Sequence, residues 1–481
     1  DDARRVFARK GFAEPRTFEL GDMRLWLYQK QLVDTPNFIE HESGGKLFAI
    51  GTVVYRGLGY QDSLERLLNE YLAIRIDQDE LIGNFCLLFW NGNKLEMLTD
   101  SMGIQPVFTN ERFKCISSSF LATLAAASKP LPLNQTALCE KLATGYIVAP
   151  ATIVEGINRI DCRRGEDIPL GTREIHILNS SANDVPLMHR DGLNASLNVQ
   201  IDSLKEHFEN ISNLHQEFHG ELGLSDGYDS RLVLACAPFL TTPVALHTHA
   251  TQGVHDKSAA IVDQMAESLS LPLRKCPTQP LQEHDAESLE RILDDNLYYF
   301  DGRCSHNMGA MSETYTRHYK QQTLEANRFS LNGIGGEVFR NYYNTSTGKH
   351  DVHKWFEHHV YYPFIKDAIG DQALLEEMHE RKLDKMANRL NEETPKKASF
   401  LWLRRYYSEI RMPECDGANN NAHNQLAFFH TPFIDRKVVN AGLAATPHIG
   451  CDGIYQAKLI ERLSPELAAQ PSHYGHPFNR V

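Results

Sequence analysis

No stretch of the 481-residue chain reaches the ~18 uninterrupted apolar residues of a membrane-spanning helix, so no membrane span is expected. Positive charge is also scarce. Lys and Arg total 49 against 62 Asp and Glu, a formal charge of −13. That balance argues against a general phosphate-backbone binder and so against a nucleic-acid partner, while leaving room for a local basic pocket. The nine cysteines, at 86, 115, 139, 162, 236, 276, 304, 415 and 451, include no CxxC pair, and several sit in apolar runs such as Phe85-Cys86-Leu87. Neither a disulfide framework nor a zinc ribbon is expected; buried thiols in a reducing cytoplasm are. The opening Asp1-Asp2-Ala3-Arg4-Arg5 has no Met and no apolar run, so no signal peptide is visible, although a natural terminus can have been trimmed. Internal repeats and low-complexity tracts are absent as well. What remains is ordinary globular composition, 42% hydrophobic and 23% charged. The length is roughly three times the ~150-residue prior for one domain, so two domains are expected.

The first third reads as strands. Lys46 to Tyr55 is β-branched and aromatic, Phe85 to Trp90 is a second strand, and Asn91-Gly92-Asn93 turns it into a return strand, Lys94 to Thr99. Between them Ser63 to Leu72 has helical spacing. The polar stretch Asn179 to Asp184 marks the expected boundary, giving domains 1–185 and 186–481. Beyond it the pattern becomes strand, loop, helix. Glu221 to Leu224 is a short strand, Arg231 to Ala235 an apolar helix start, and Pro243 to Thr248 the next strand. Ile261, Val262, Met265, Ala266 and Leu269 then share a helical face. Such alternation predicts a doubly wound parallel sheet. From about Asp351 to Leu403 the chain is expected to be mostly helical.

The most informative segment is Leu224-Ser225-Asp226-Gly227-Tyr228-Asp229-Ser230-Arg231. A small polar loop between a buried strand and a helix start collects unpaired N–H groups and the positive end of the helix dipole. Such a nest suits pyrophosphate oxygens. Gly227 permits close approach, and Ser225 and Ser230 offer hydroxyls. Asp229 would repel phosphate unless a cation such as Mg²⁺ bridges them. By itself the string is equally compatible with a simple capped turn.

The string resembles the S-G-G-x-D-S pyrophosphate loop of ATP-pyrophosphatases, specifically the asparagine synthase family, with Asp226 where that family has its first glycine. Gly333-Ile334-Gly335-Gly336-Glu337-Val338-Phe339 resembles the family's second, glycine-rich block, and Thr431-Pro432-Phe433-Ile434-Asp435 its P-F-L-D segment. In the first third, Asp100-Ser101-Met102-Gly103-Ile104-Gln105-Pro106-Val107-Phe108 is similar to the family's D-x-x-G-x-x-P-L-Y turn. Ile116 to Ser119 resembles the strand after it, and Tyr146 to Ile157 the exit segment. The resemblance is strong around 83–157 and 221–340 and weak between 340 and 420. It implies an N-terminal, Ntn-hydrolase-like β-rich sandwich of amidotransferase type. A doubly wound ATP-pyrophosphatase domain with a helical C-terminal part would follow. It also implies ATP and Mg²⁺. The nucleotide would be held by Leu224, Ser225, Gly227, Tyr228, Asp229, Ser230, His247, Thr248, Gly333 and Gly335. Asp229 and Glu337 would share the metal and serve the reaction.

The departures are equally specific. Family members that use glutamine begin with a cysteine nucleophile. This chain begins with Asp1, and Ile50-Gly51-Thr52 replaces the Asn-Gly-Glu segment that helps hold glutamine. A degenerate amidotransferase-like domain is therefore expected. The acidic residue of the family's glycine block falls on Ile334 or Gly333, and no C-terminal lysine matches the family's. Lys458 sits on an ordinary amphipathic helix, and Ser472 to Phe478 offers histidines instead. Arg231 is the candidate to offset Asp226. Asp301-Gly302-Arg303-Cys304-Ser305-His306 is a candidate acceptor-pocket wall or a plain polar loop, and none of the 22 histidines has spacing specific for a metal.

The resemblance implies an ATP-dependent, AMP-forming ligase. It would adenylate a small-molecule or peptide carboxylate and join it to ammonia or an amine, without glutamine. The alternative is a degenerate relative that binds a nucleotide or a partner without chemistry; a tRNA-modifying pyrophosphatase ranks last, lacking a basic patch. No membrane or nucleic-acid partner is expected, and the assembly, a homodimer included, stays open.

Overall fold

Period-two patterning in the first third produces a sheet covered on both faces. The computed structural model describes residues 1–110, 115–127, 129–161, 165, 167–170, 173–178, 187–189, 191–251, 256–278, 285–303 and 316–481. Strands β1 (Phe38–Glu40), β2 (Lys46–Tyr55), β3 (Leu81–Trp90), β4 (Leu95–Thr99), β5 (Ile168–Leu170) and β6 (Arg173–Ile177) form a six-stranded sheet in the order β5-β6-β4-β3-β2-β1. Its pairings are antiparallel except β6 with β4, which is parallel. Alternate side chains go to opposite faces. Leu47, Ala49, Val53, Leu87 and Phe89 pack against Leu64, Leu67 and Leu68 of helix α1 (Tyr60–Leu72). Phe48, Cys86, Trp90, Leu95 and Met97 face the other way, toward Leu20 and Leu27 of the hairpin Arg16–Leu20/Met23–Leu27. At Gly51 (φ +95°) a Cβ would lie 2.1 Å from the Asn84 carbonyl oxygen, so the close β2–β3 approach admits only glycine there.

The second sheet is wholly parallel. It comprises β7 (Glu221–Gly223), β8 (Ala245–Thr251), β9 (Leu273–Thr278), β10 (Phe329–Leu331) and β11 (Phe428–His430), in the order β9-β8-β7-β10-β11. Helices α2 (Leu193–Glu217), α3 (Tyr228–Cys236) and α4 (Lys257–Ser268) belong to this half. The helical face expected in α4 buries Val262, Met265 and Ala266. The chain builds outward from β7 to β9, then crosses back to β10 and β11. The strand order therefore reverses between β7 and β10, where the carboxyl-end loops of an open α/β sheet diverge and leave a crevice. Helices including Val352–His359, Gln372–Leu390 and Phe400–Arg405 fill the region expected to be helical.

The fold is thus a mixed α/β one. The boundary stretch, Asn179 to Asp184, lies outside the described residues. The largest apolar cluster runs through both halves, from Val53 and Tyr60 to Phe428 and Val438. Main-chain bonds join them, Gln31 N–H to Gln425 O at 3.0 Å and Leu32 N–H to Leu426 O at 2.8 Å. Beside this apolar seam Glu414 is buried among Arg159, Arg389 and Arg303, which hold its carboxyl below the usual range against the effect of burial. Among the described residues no helix is long and apolar enough to cross a membrane, and no disulfide joins the described cysteines.

Candidate functional site

Strand β7 ends at Gly223, one residue earlier than its apolar run suggests. Leu224 is buried, and its N–H donates to the His247 carbonyl at 2.8 Å, so its side chain belongs to the core. Ser225, Asp226 and Gly227 then turn the chain into α3. The loop is laced by its two serines. The Ser225 N–H donates to Ser230 Oγ at 2.9 Å, and the two hydroxyl oxygens lie 2.8 Å apart. Gly227 is the N-cap and makes no side-chain cap hydrogen bond, and its own N–H donates to Ser225 Oγ at 3.4 Å; the first N–H groups of a helix have no partner within it.

The second loop arrives from β10. Thr431 Oγ1 donates to the Ile334 carbonyl at 2.6 Å, so the third sequence block braces the second from below. Gly335 takes φ +90° and abuts Phe433, and the short turn Gly336–Phe339 follows. A Cβ on Gly336 would stand 2.2 Å from Asp229 Oδ1, and one on Gly333 would stand 2.7 Å from the Asp229 Cβ. The glycines let the two loops touch. Gly333 and Gly336 lie against Asp229, and Gly335 faces Phe433.

Asp229 and Glu337 consequently converge. Arg340 Nη2 donates to Asp229 Oδ1 at 3.0 Å and Oδ2 at 2.8 Å, and lies 3.5 Å from Glu337 Oε1. One nitrogen shared by both carboxylates keeps them well within the ~10 Å expected of groups flanking a hydrated ion. Gln456 Nε2 donates to Asp229 Oδ1 at 2.9 Å, and the Tyr407 hydroxyl donates to Glu337 Oε2 at 2.6 Å. Tyr407 lies in a π-helical turn, Tyr406–Arg411, of the kind that re-aims side chains at working sites. Burial, reinforced by the Glu337 charge, pushes the Asp229 carboxyl up to about 7, against the pull of Arg340 and Gln456.

The C-terminal segment closes over the phosphate-type loop. Tyr228 is buried and stacks on Phe478 with centroids 4.0 Å apart, and Tyr474 tilts against it at 4.9 Å. Tyr228 thus fastens the segment down. His473 Nδ1 lies 3.1 Å from Asp226 Oδ1. Arg231 donates to the main-chain carbonyls of Asp226, Gln470 and Pro471, so it binds the strap, and its charge also attracts the Asp226 carboxylate that His473 faces. The Tyr474 hydroxyl accepts from Arg340 Nη1 at 3.4 Å.

His247 and Thr248 are adjacent on β8, so they point to opposite faces and cannot both line the crevice. His247 turns toward Glu221, 3.8 Å away, and burial takes its ring down to about 3. Asp301 accepts from Ser119 Oγ at 2.5 Å and pairs with Lys10, while Cys304, Ser305 and His306 lie outside the described residues. Among the described residues Asp167, Glu174 and His176 also gather metal-type ligand atoms, as mainly exposed groups at the β5–β6 hairpin.

Asp229 and Glu337 are the pair able to hold a divalent ion in the crevice. Two carboxylates facing an N–H nest fit Mg²⁺ joined to a phosphate chain. In the structure the guanidinium of Arg340 meets their charge, so an ion would have to displace it. No known protein family matches the chain, and no curated protein shows significant similarity to it. A cavity of about 600 Å³ lies elsewhere, beside the N-terminal sheet, and none of Asp229, Glu337 and Arg340 lines it.

Proposed function

We propose that the crevice between β7 and β10 binds ATP, as a substrate, together with Mg²⁺. The protein then acts as an AMP-forming ligase that activates a carboxylate and joins it to ammonia or an amine. The observation that carries this reading is the meeting of Asp229 and Glu337, from loops on either side of the strand reversal, around one cation. When bound, the metal would neutralise charge on the departing pyrophosphate. Ser225, Ser230 and the N–H groups at the start of α3 bind phosphate oxygens. Gly333 and Gly336 keep the loops in contact, and Tyr407 orients Glu337. The fold reading that accompanies it is an ATP-pyrophosphatase-type half behind a degenerate amidotransferase-like half. Thr52, in the segment that replaces Asn-Gly-Glu, supports the loss of glutamine use. Its hydroxyl donates to the Phe429 carbonyl at 3.1 Å, and it is sealed between the halves. The mostly buried thiols, with no disulfide among the described residues, support a reducing, cytoplasmic setting.

A second reading, nucleotide or partner binding without turnover, is favoured by Arg340 at the cation position and by the strap over the loop. Calorimetric titration with Mg·ATP, followed by pyrophosphate release assays with a panel of carboxylic acids and amines, separates the two. The ligase reading expects saturable binding, a loss of at least about tenfold in Asp229→Ala, and AMP formation with an acid of the panel. Binding unchanged in Asp229→Ala, with no AMP from any acid, favours the second reading. No Mg·ATP binding by the intact chain overturns both nucleotide readings.

A further inference from the structure

The cavity of about 600 Å³ opens between the N-terminal sheet, the hairpin Arg16–Leu20/Met23–Leu27 and the helix Asp416–Asn424. Its body is apolar because alternate residues of β2, β3 and β4 turn to the face away from α1. Phe48, Leu88 and Met97 line it, with Trp26 from the hairpin. Its size falls in the range of small-molecule sites.

The polar groups on its wall are not equivalent. Lys10 is paired with Asp301, and Arg303 stands 3.6 Å from Glu414, so both charges are met within the protein. Lys30 is different. Its ammonium donates only to neutral oxygens, those of Asn424 and Ala427, and lies 4.9 Å from the centre of the Phe428 ring. Burial holds it well below its ordinary range, with no charged group among the causes. Asn424, 4% exposed, gives its Oδ1 to Lys30 at 2.6 Å, while its Nδ2 is buried with no hydrogen-bond partner. The three N–H groups of Lys30 are thus satisfied, but its charge has no anion on the cavity wall. A buried charge without a counter-charge is costly, and an anionic oxygen-bearing group in the cavity would supply one.

We propose that this cavity is a binding site for an apolar carboxylic acid. The carboxylate pairs with the Lys30 ammonium, taking over one of its three hydrogen bonds, and the alkyl or aryl body lies against Leu25, Trp26 and Leu88, which are partly or fully exposed on the wall. The site is independent of the nucleotide reading of the crevice. An apolar wall alone would take an alcohol as readily as an acid; Lys30 makes the difference.

The test is calorimetric titration of the full chain with decanoate, below its micelle concentration, and with 1-decanol. Lys30→Met and Leu88→Trp are run alongside, and Leu25→Trp is the second filling variant should Leu88→Trp melt abnormally. The expected result is one decanoate per chain, bound at least about tenfold tighter than decanol, because a charge-assisted bond is available only to the acid. Lys30→Met should abolish that preference while leaving decanol binding in place, and a filling variant should abolish both. No saturable decanoate binding, equal affinity for the alcohol, or an acid preference that survives Lys30→Met would each overturn the proposal.

Discussion

The crevice at the strand reversal and the cavity beside the N-terminal sheet are built from opposite materials. In the crevice, charges meet charges. Arg340 serves Asp229 and Glu337, His473 faces Asp226, and an aromatic strap lies on top. In the cavity, apolar walls surround a cation whose partners are all neutral. The first is a site whose ligand must displace protein groups; the second has room and an unmet charge. Volume therefore marks one kind of site and electrostatic saturation the other.

The sharpest way to break this contrast is to cut the strap. Tyr228→Ala removes a buried ring stacked on Phe478, and should cost about 3–5 kcal/mol in urea unfolding. Leu88→Ala on the partly open cavity wall should cost clearly less. Equal losses would mean that the two regions are equally well packed.

Gly336→Val comes next. Its Cβ would collide with Asp229 Oδ1, so overpacking should cost about 1–3 kcal/mol and abolish Mg·ATP binding. Decanoate binding should be unchanged, and a parallel loss would show that the regions are coupled.

Arg340→Met tests the cation position itself. Without the guanidinium the carboxylates should recruit the metal. Mg²⁺ at ten times its Kd should then add about 1.4 kcal/mol to the variant's stability, and less to the parent's. Calorimetric melting with and without Mg²⁺ reads the difference.

A test of a different kind concerns pH. Asp229 titrates near 7 in the fold against about 3.9 in an unfolded chain, so the native state holds the extra proton between those values. Its contribution to stability is present below about pH 4 and is lost as pH rises through about 7. Melting temperatures of the ligand-free parent should fall relative to Asp229→Asn across that window, and parallel curves would remove Asp229 as the cause. The smallest expected signal is zero: incubation with glutamine should release no glutamate above a blank.

Much of the scaffold is legible in single segments. The strand expected at Lys46 to Tyr55 is observed with those bounds, and the helix expected over Ser63 to Leu72 begins three residues earlier, at Tyr60. Both follow from alternation or helical spacing, which depend only on neighbours in the chain. The crevice is legible in part. Asp229 and Glu337 are suggested by glycine-rich strings, and their meeting by a parallel sheet's rule of strand-end loops. His247 and Thr248 are neighbours on one strand, whose alternation sends them to opposite faces, and the aromatic partner of Tyr228 lies 250 residues away in sequence.

By itself, then, the sequence determined which segments are strands and which loops carry glycine and acid. Tertiary structure alone decided what meets those acids and what is left unmet. Arg340 directly follows the second glycine block and Gln456 sits on a helix near the C-terminus, and neither has a local signature. Lys30 and Asn424 are ordinary residues nearly 400 positions apart. Local spacing fixes how a segment folds, but whether a charge finds a partner depends on burial and on distances set by every other element. No short window of sequence contains those distances.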